Sequence, residues 1–305
     1  MTAASPELQS GILGWYDAHG RSLAFRTTSD PYAVLVSEVM AQQTQIGRVS
    51  EAWAAFLAAF PTIPALAEAI PADVLRAWRG LGYNRRALNL WRAARVVVEE
   101  HGGELPRDVA ALERLPGIGP YTARAVAAIA FGLPVGAVDT NVRRVLARAL
   151  TGSRDGLPAM ALQRAADESV PTARPADWTH ALMDVGATFC RPTAPRCGDC
   201  PARDECRYAA TAGAAEHVPA RGRARRTAAQ QPLPFPATSR WLRGRILDRL
   251  RDGPGWVELG TPIGSHDRAA VEAALGELAA EGLVERHGTA LLRARLPIAI
   301  AVPAG

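Results

Sequence analysis

The chain has 305 residues, 35 basic against 30 acidic side chains, a net charge of +5 and a pI near 9.4. Apolar residues make up 48% and charged residues 21%, which excludes a disordered or fibrous chain and is enough for two or three packed units. No apolar run reaches membrane-spanning length, and the N-terminus lacks a basic start followed by an apolar core, so a cytoplasmic protein with no membrane partner is expected. All 35 basic residues are Arg and none is Lys. Any imine chemistry would therefore need the N-terminal amine. The basic excess alone is a modest pointer to a polyanionic partner.

Ala and Leu dominate, and strand-like alternation is rare before residue 280, which predicts a mainly all-α protein. The first helix carries Leu8, Ile12, Leu13, Trp15 and Tyr16. A second starts at Asp30-Pro31, a capping residue followed by proline in the first turn. Amphipathic stretches follow at about 48–60, 71–80, 84–101, 108–115, 120–131 and 141–150, mostly separated by short Gly or Pro breaks. Residues 1–208 thus read as one compact unit, an orthogonal helical bundle.

Chemistry-bearing residues are spread along that unit. Glu38, in "SEVMAQQTQ", sits among Val36, Val39 and Met40 on a strongly apolar helix. A carboxyl so placed tends to keep its proton. In "LPGIGPYTARA", glycines at 117 and 119 are read as permitting a tight turn. The free amides of that turn and of the next helix would make an anion site. Such a helix-hairpin-helix grips a DNA phosphate without reading sequence, although an ordinary helical corner has the same pattern. The preceding "DVAALERL" is expected to turn Val109, Leu112 and Leu115 inward. Asp139, in "VDTNVRRVLARAL", is an N-cap by its spacing, and a capping carboxylate can be held ionised by helix amides. One acid that donates a proton and one carboxylate that stays ionised is the pattern for glycosidic-bond cleavage.

The four cysteines, Cys190, Cys197, Cys200 and Cys206, lie within 17 residues in the spacing C-x6-C-x2-C-x5-C. Two disulfides are disfavoured in a cytoplasmic helical protein. Zinc and an iron–sulfur cluster both suit a thiolate tetrad, and spacing does not separate them. Arg191, Arg196, Arg203 and Arg207 surround the tetrad with positive charge.

Residues 209–237 change to Ala, Gly, Pro and Gln with arginines at 221, 223, 225 and 226, and read as a linker that is either solvated or tracks a nucleic-acid backbone. Residues 238–297 read as a third unit: two helices, "SRWLRGRILDRLRD" and "HDRAAVEAALGELAAEG", then two strands around a turn containing His287. This order suggests a winged-helix-like module, a type that binds DNA in some proteins and other proteins in others.

From residue 8 to about 208 the chain resembles A/G-specific adenine DNA glycosylases (the MutY type) of the endonuclease III superfamily. The resemblance rests on "SEVMAQQTQ", "GLGYNRRALNL", "LPGIGPYTA" with "VDTNVRRVLAR", and the cysteine tetrad, in that order. It implies a helix-hairpin-helix glycosylase fold, with a six-helix barrel at about 29–135 and a second half made by the first helix and 136–208. It implies base excision from double-stranded DNA: adenine opposite 8-oxoguanine or guanine, removed by a monomeric enzyme. By resemblance Glu38 matches the acid that protonates the flipped purine. Asp139 matches the carboxylate that supports the oxocarbenium ion. Tyr121 and Asn141 match residues positioning that carboxylate and the water. Gln43 matches the filler of the vacated stack, Tyr83 the wedge beside the opposing base, and Arg26 a base-pocket contact. The cysteines match the ligands of a [4Fe–4S] cluster. In strand-cutting relatives the position of Tyr121 is the attacking lysine, so no lyase step is expected here.

The sequence departs from the family pattern at Ala24 and Phe25 before Arg26, at Ala41 before the Gln pair, and at His180 where Gln or Glu touches the base. Together these imply a slightly enlarged pocket. They keep open a related glycosylase for thymine or uracil opposite guanine. A non-catalytic DNA-binding iron–sulfur protein is the other alternative, and retention of both Glu38 and Asp139 speaks against it. Residues 238–297 are patterned unlike the Nudix-like domain that reads 8-oxoguanine in the family. Recognition of the oxidised partner is then either weaker or carried by the winged-helix-like module.

Overall fold

The computed structural model describes residues 3–154, 156–212, 233–253, 255–288 and 292–299. The arginines at 221, 223, 225 and 226 lie outside the described residues. Contacts divide the chain into two compact units, each built from two stretches. The first joins residues 1–38 to 105–222, and the second joins 39–104 to 223–305. The hairpin helices thereby group with the first helix and the cysteine loop, a division by contact and not by chain order.

In the first unit, α1 (Pro6–His19) is started by Ser5, whose hydroxyl accepts the Leu8 amide at 3.1 Å, with proline in the first turn. Its Leu8, Ile12 and Leu13 are buried. α2 (Pro31–Ala41) begins where expected: the Asp30 carboxylate accepts the Ala33 amide at 2.7 Å. α7 (Val109–Glu113) is capped by Asp108, and α8 (Pro120–Phe131) follows the hairpin. α9 (Thr140–Thr151) runs from Asp139 to the left-handed Gly152. α10 (Ala159–Glu168), α11 (Pro175–Thr188) and the short α12 (Arg207–Ala212) complete the unit. α11 packs on α1, α8 and α9. Leu8, Ile12, Val142, Leu146, Trp178 and Val185 share one core. Because three helices cover it, α11 is buried around most of its circumference, including Thr179, His180 and Asp184. That removes the polar stripe by which an amphipathic helix is recognised, and α11 was accordingly not among the predicted stretches.

In the second unit, α3 (Ile46–Ala59), α4 (Ile63–Glu68), α5 (Pro71–Ala77) and α6 (Arg85–His101) surround an aromatic core. There the Phe56 and Trp78 rings meet edge to face at 5.8 Å. α4 is too short for periodicity to reveal, and is set by its Thr62 cap and Pro64. The C-terminal part has α13 (Ser239–Arg251), β1 (Val257–Glu258), α14 (Arg268–Ala280), β2 (Glu285–His287) and β3 (Arg293–Arg295). The strands form an antiparallel sheet in the order β1-β3-β2, with Val257 and Arg286 both opposite Ala294. This is the helix–strand–helix–hairpin order of a winged-helix-like module. The two-residue β1 escaped the sequence pattern, and His287 ends β2 opposite Arg293 instead of lying in the turn.

The module is held against the 39–104 segment by polar contacts, of which that of Arg251 is buried. Arg251, 7% exposed, donates to the Leu75 carbonyl at 2.9 Å and to the Asn84 side chain at 2.5 Å. Arg79 pairs with Asp252 at 2.6 Å, and Arg76 reaches the Gly253 carbonyl at 3.2 Å. A guanidinium satisfied by fixed carbonyls sets orientation more firmly than apolar contact alone.

Candidate active site

Glu38 lies in the last turns of α2 and is 8% exposed. The Tyr121 hydroxyl, from the first turn of α8, donates to its Oε2 at 2.8 Å. Burial raises the Glu38 pKa above the ordinary carboxylate range; Tyr121 and the Arg26 charge oppose that rise, and the Asp139 charge adds to it. Burial, with the neighbouring Glu38 and Asp139 charges, also pushes the Tyr121 phenol well above its usual value. Tyr121 therefore serves Glu38 as a fixed neutral donor. Its expected partner was Asp139, but its hydroxyl is engaged by the other carboxyl.

Asp139 is the N-cap of α9. Its Oδ1 accepts the Asn141 and Val142 amides at 2.8 and 2.7 Å, and its Oδ2 accepts the Asn141 side-chain amide at 2.9 Å. The reading of Asp139 as an N-cap agrees with this geometry. Asn141 is fixed in turn by Arg144, which donates to Asn141 Oδ1 at 2.9 Å, to the Gly186 carbonyl at 2.8 Å and to the Cys190 carbonyl. A continuous line of hydrogen bonds thus runs from Asp139 to the first cysteine. Gly186 permits it: a β-carbon there would stand 2.5 Å from the Asn141 β-carbon.

Arg26 was expected as a pocket contact. Both its terminal nitrogens are engaged by Asp184, at 2.9 and 3.0 Å, with the Asp184 side chain fully buried and that of Arg26 only 7% exposed. Arg21 adds its backbone amide at 3.0 Å and its Nε at 2.7 Å to the same carboxylate. Burial alone would raise the Asp184 pKa, but the hydrogen bonds from the two arginines outweigh it and hold the carboxylate below its ordinary range. His180, one turn earlier on α11, is 7% exposed. Its pKa falls to about 3, from burial first and then the Arg26 charge, so the imidazole is neutral at physiological pH. Asp184 and Arg144 were not singled out in the sequence. Asp184 stands four residues after His180 on a helix without a polar stripe. Arg144 is one of several arginines in "NVRRVLARAL".

In the hairpin, Gly117 has φ +78, the left-handed region that a side chain disfavours. Gly119 has φ −93 and ψ 176, extended backbone that any residue adopts. The expectation of special backbone angles holds at Gly117 and is corrected at Gly119. Leu112 and Leu115 are buried as expected and Val109 is half-buried.

The four cysteines are unpaired and line one cavity together with Arg148, Phe189 and Tyr208. Burial raises the thiols of Cys197 and Cys206, and pushes that of Cys200 up to about 11. Arg148, 3% exposed, donates to Cys190 Sγ at 3.4 Å and to the Arg191 and Pro192 carbonyls, and lies over the Tyr208 ring.

In the second unit, Ala41 ends α2 and Gln43 follows it, exposed, with φ +56. Tyr83 is 42% exposed with φ +44. Left-handed backbone at non-glycine residues costs energy and concentrates at functional sites. Arg86 holds both turns. Its guanidinium donates to the Val39, Met40 and Gln42 carbonyls on one side, and to those of Leu81 and Gly82 on the other. Burial lowers its pKa to about 10, so it remains a cation at neutral pH.

The family model described as HhH-GPD superfamily base excision DNA repair protein matches residues 36–171. The chain is 41% identical to the adenine DNA glycosylase of Mycolicibacterium smegmatis, over 90% of this chain and 92% of that one. It is 42% identical to the adenine DNA glycosylase of Mycobacterium tuberculosis (strain CDC 1551 / Oshkosh), over 79% of this chain and 78% of that one. Among solved structures, a thermostable thymine-DNA glycosylase superposes with a TM-score of 0.63 and 32% identity, covering 67% of this chain and 95% of that one. The protein belongs to the adenine DNA glycosylase family within the HhH-GPD superfamily. No helix among the described residues is long and apolar enough to cross a membrane.

Proposed function

We propose that the protein is a base-excision-repair enzyme that hydrolyses the N-glycosidic bond of adenine mispaired with 8-oxoguanine or guanine in double-stranded DNA. The observation that carries this reading is the pair of unlike carboxyls: Glu38 buried with a raised pKa, and Asp139 held by three hydrogen bonds at the head of α9. The target base must leave the stack, at a cost of a few kcal/mol. Glu38, whose burial favours the protonated form, delivers its proton to the five-ring nitrogen of the purine. The bond from the sugar carbon to the base then breaks, and its electron pair leaves with the neutralised adenine. Positive charge develops on the sugar, where the Asp139 carboxylate stabilises it; water adds, its surplus proton restores the Glu38 carboxyl, and an abasic site is left. With no lysine in the chain and Tyr121 engaged by Glu38, the reaction ends at hydrolysis.

His180 and the Asp184-anchored Arg26 would shape the base pocket. His180, neutral and buried, offers one donor and one acceptor to a base edge. The cysteine set fits a [4Fe–4S] cluster: all four thiols line one cavity, and four cysteine thiolates are the ligand set such a cluster takes. Cys190, Cys197, Cys200 and Cys206 would hold the cluster, which would cross-link the loop and supply no chemistry to base release.

A second reading, thymine or uracil opposite guanine, draws on the similarity to the thymine-DNA glycosylase and on Ala41 and His180. Single-turnover base release from duplexes carrying each mismatch decides between them. Glu38→Gln should slow release by roughly 100-fold to 10,000-fold, and Asp139→Asn by orders of magnitude. Unchanged rates in both variants would refute the assigned roles. Loss of an amber chromophore in Cys200→Ser tests the cluster.

A further inference from the structure

The second unit contains a cleft of about 760 Å³ bounded on one side by the Gln43 and Tyr83 turns and on the other by α13 of the C-terminal module. Seven arginines line it against two carboxylates, Asp248 and Glu281. Both carboxylates are already committed: Asp248 pairs with Arg245 and Arg251, and Glu281 pairs with Arg243. Arg48, Arg85 and Arg240 are exposed and make no ion pair among the described residues. Three uncompensated guanidinium groups around one groove are an attractive field for a polyanion. Arg240 also stands over the Tyr83 ring, its guanidinium carbon 4.6 Å from the ring centre, and Arg86 lies over the same ring at 5.6 Å. Tyr83 is thereby held as a flat, half-exposed face at the edge of a basic groove, on backbone that is costly to maintain. A stacking surface beside free guanidinium groups is the combination that suits a nucleic-acid strand: phosphates meet the charge, and a base meets the ring.

We propose that this cleft binds the sugar–phosphate backbone of the DNA strand whose base faces Tyr83. Arg240 is the C-terminal module's contribution, contacting a phosphate and positioning the Tyr83 ring. This rests on the reading of the protein as a DNA enzyme and adds a partner surface to it. The module here acts through charge and stacking.

Equilibrium binding of the full-length protein to an undamaged duplex, measured across a salt series, tests the proposal without requiring catalysis. Arg240→Ala should weaken binding roughly fivefold and flatten the slope of log K against log salt by about 0.9, the value for one phosphate contact. Arg48→Ala and Arg85→Ala should each flatten the slope similarly. Arg240→Lys should restore the slope but only part of the affinity, because an ammonium keeps the charge and loses the planar stack on Tyr83. Arg249→Ala is the control, an exposed arginine of the same helix that does not line the cleft. Equal slopes in Arg240→Ala and wild type, or the same flattening in Arg249→Ala, would overturn the groove, as would a wild type that binds no duplex. Full restoration by lysine would overturn the stacking role. Wild-type protein that binds duplex with the expected slope but releases no base would count against the catalytic reading alone.

Discussion

The Tyr121–Glu38 hydrogen bond makes a quantitative prediction about pH dependence. Glu38 acts in its protonated form, so base release should be constant at low pH and fall as pH rises through the raised Glu38 pKa. The Tyr121 hydroxyl, 2.8 Å from Oε2, stabilises the ionised form and opposes the rise. Removing it in Tyr121→Phe preserves the ring and its packing but deletes one hydrogen bond to a buried charge. Such a bond is worth about 1.5–3 kcal/mol, and 1.36 kcal/mol corresponds to one pKa unit. The Glu38 pKa should therefore climb by about 1–2 units. Single-turnover release measured from acid to alkaline pH should show the alkaline limb displaced upward by that amount in the variant. A limb that stays in place, or moves to lower pH, would refute the hydrogen bond as the control on Glu38. If the expected Tyr121–Asp139 interaction governed instead, the variant would lose rate at every pH without moving the limb.

Asp184→Asn removes the carboxylate that neutralises two guanidinium groups, one of them buried, and should cost about 3–5 kcal/mol in denaturant unfolding. The depressed Asp184 pKa means that its contribution is fully present above its unfolded value, near 3.8, and is lost as pH falls through the lower folded value. The stability difference between wild type and Asp184→Asn should therefore be constant near neutrality and shrink only below about pH 4. Gly186→Ala drives a methyl into Asn141 and should reduce base release at least tenfold by displacing the Asn141 contact to Asp139, with the same assay as readout. Borohydride added during turnover should trap little or no covalent enzyme–DNA adduct, because the chain has no lysine amine; a strong trapped band on gels would refute hydrolysis as the only step.

Much of the local structure was written in short-range pattern. Asp30-Pro31 and Asp139 each cap a helix at the expected place, because a cap needs only a side-chain oxygen two or three residues before an unsatisfied amide. Chemistry carried by one residue type in one loop was equally legible, as with the cysteine tetrad and the absence of lysine. Glu38 stood out because a carboxyl amid apolar neighbours is costly without a purpose. The tertiary structure decided which distant groups meet. Tyr121 and Glu38 are 83 residues apart, Arg26 and Asp184 158, and Arg144 and Cys190 46. Periodicity reports the face of a helix and not its partner, so Asp184 and Arg144 gave no signal. The all-round burial of α11 erased the little pattern it had. Arg240 shows the same limit from the other side. A single arginine in "SRWLRGRILDRLRD" has no special meaning until packing of α13 places it over the Tyr83 ring. Composition and capping are properties of neighbouring residues and survive in the linear chain. The pairing of charges across a core depends on where the backbone returns, and exists only once the chain has folded.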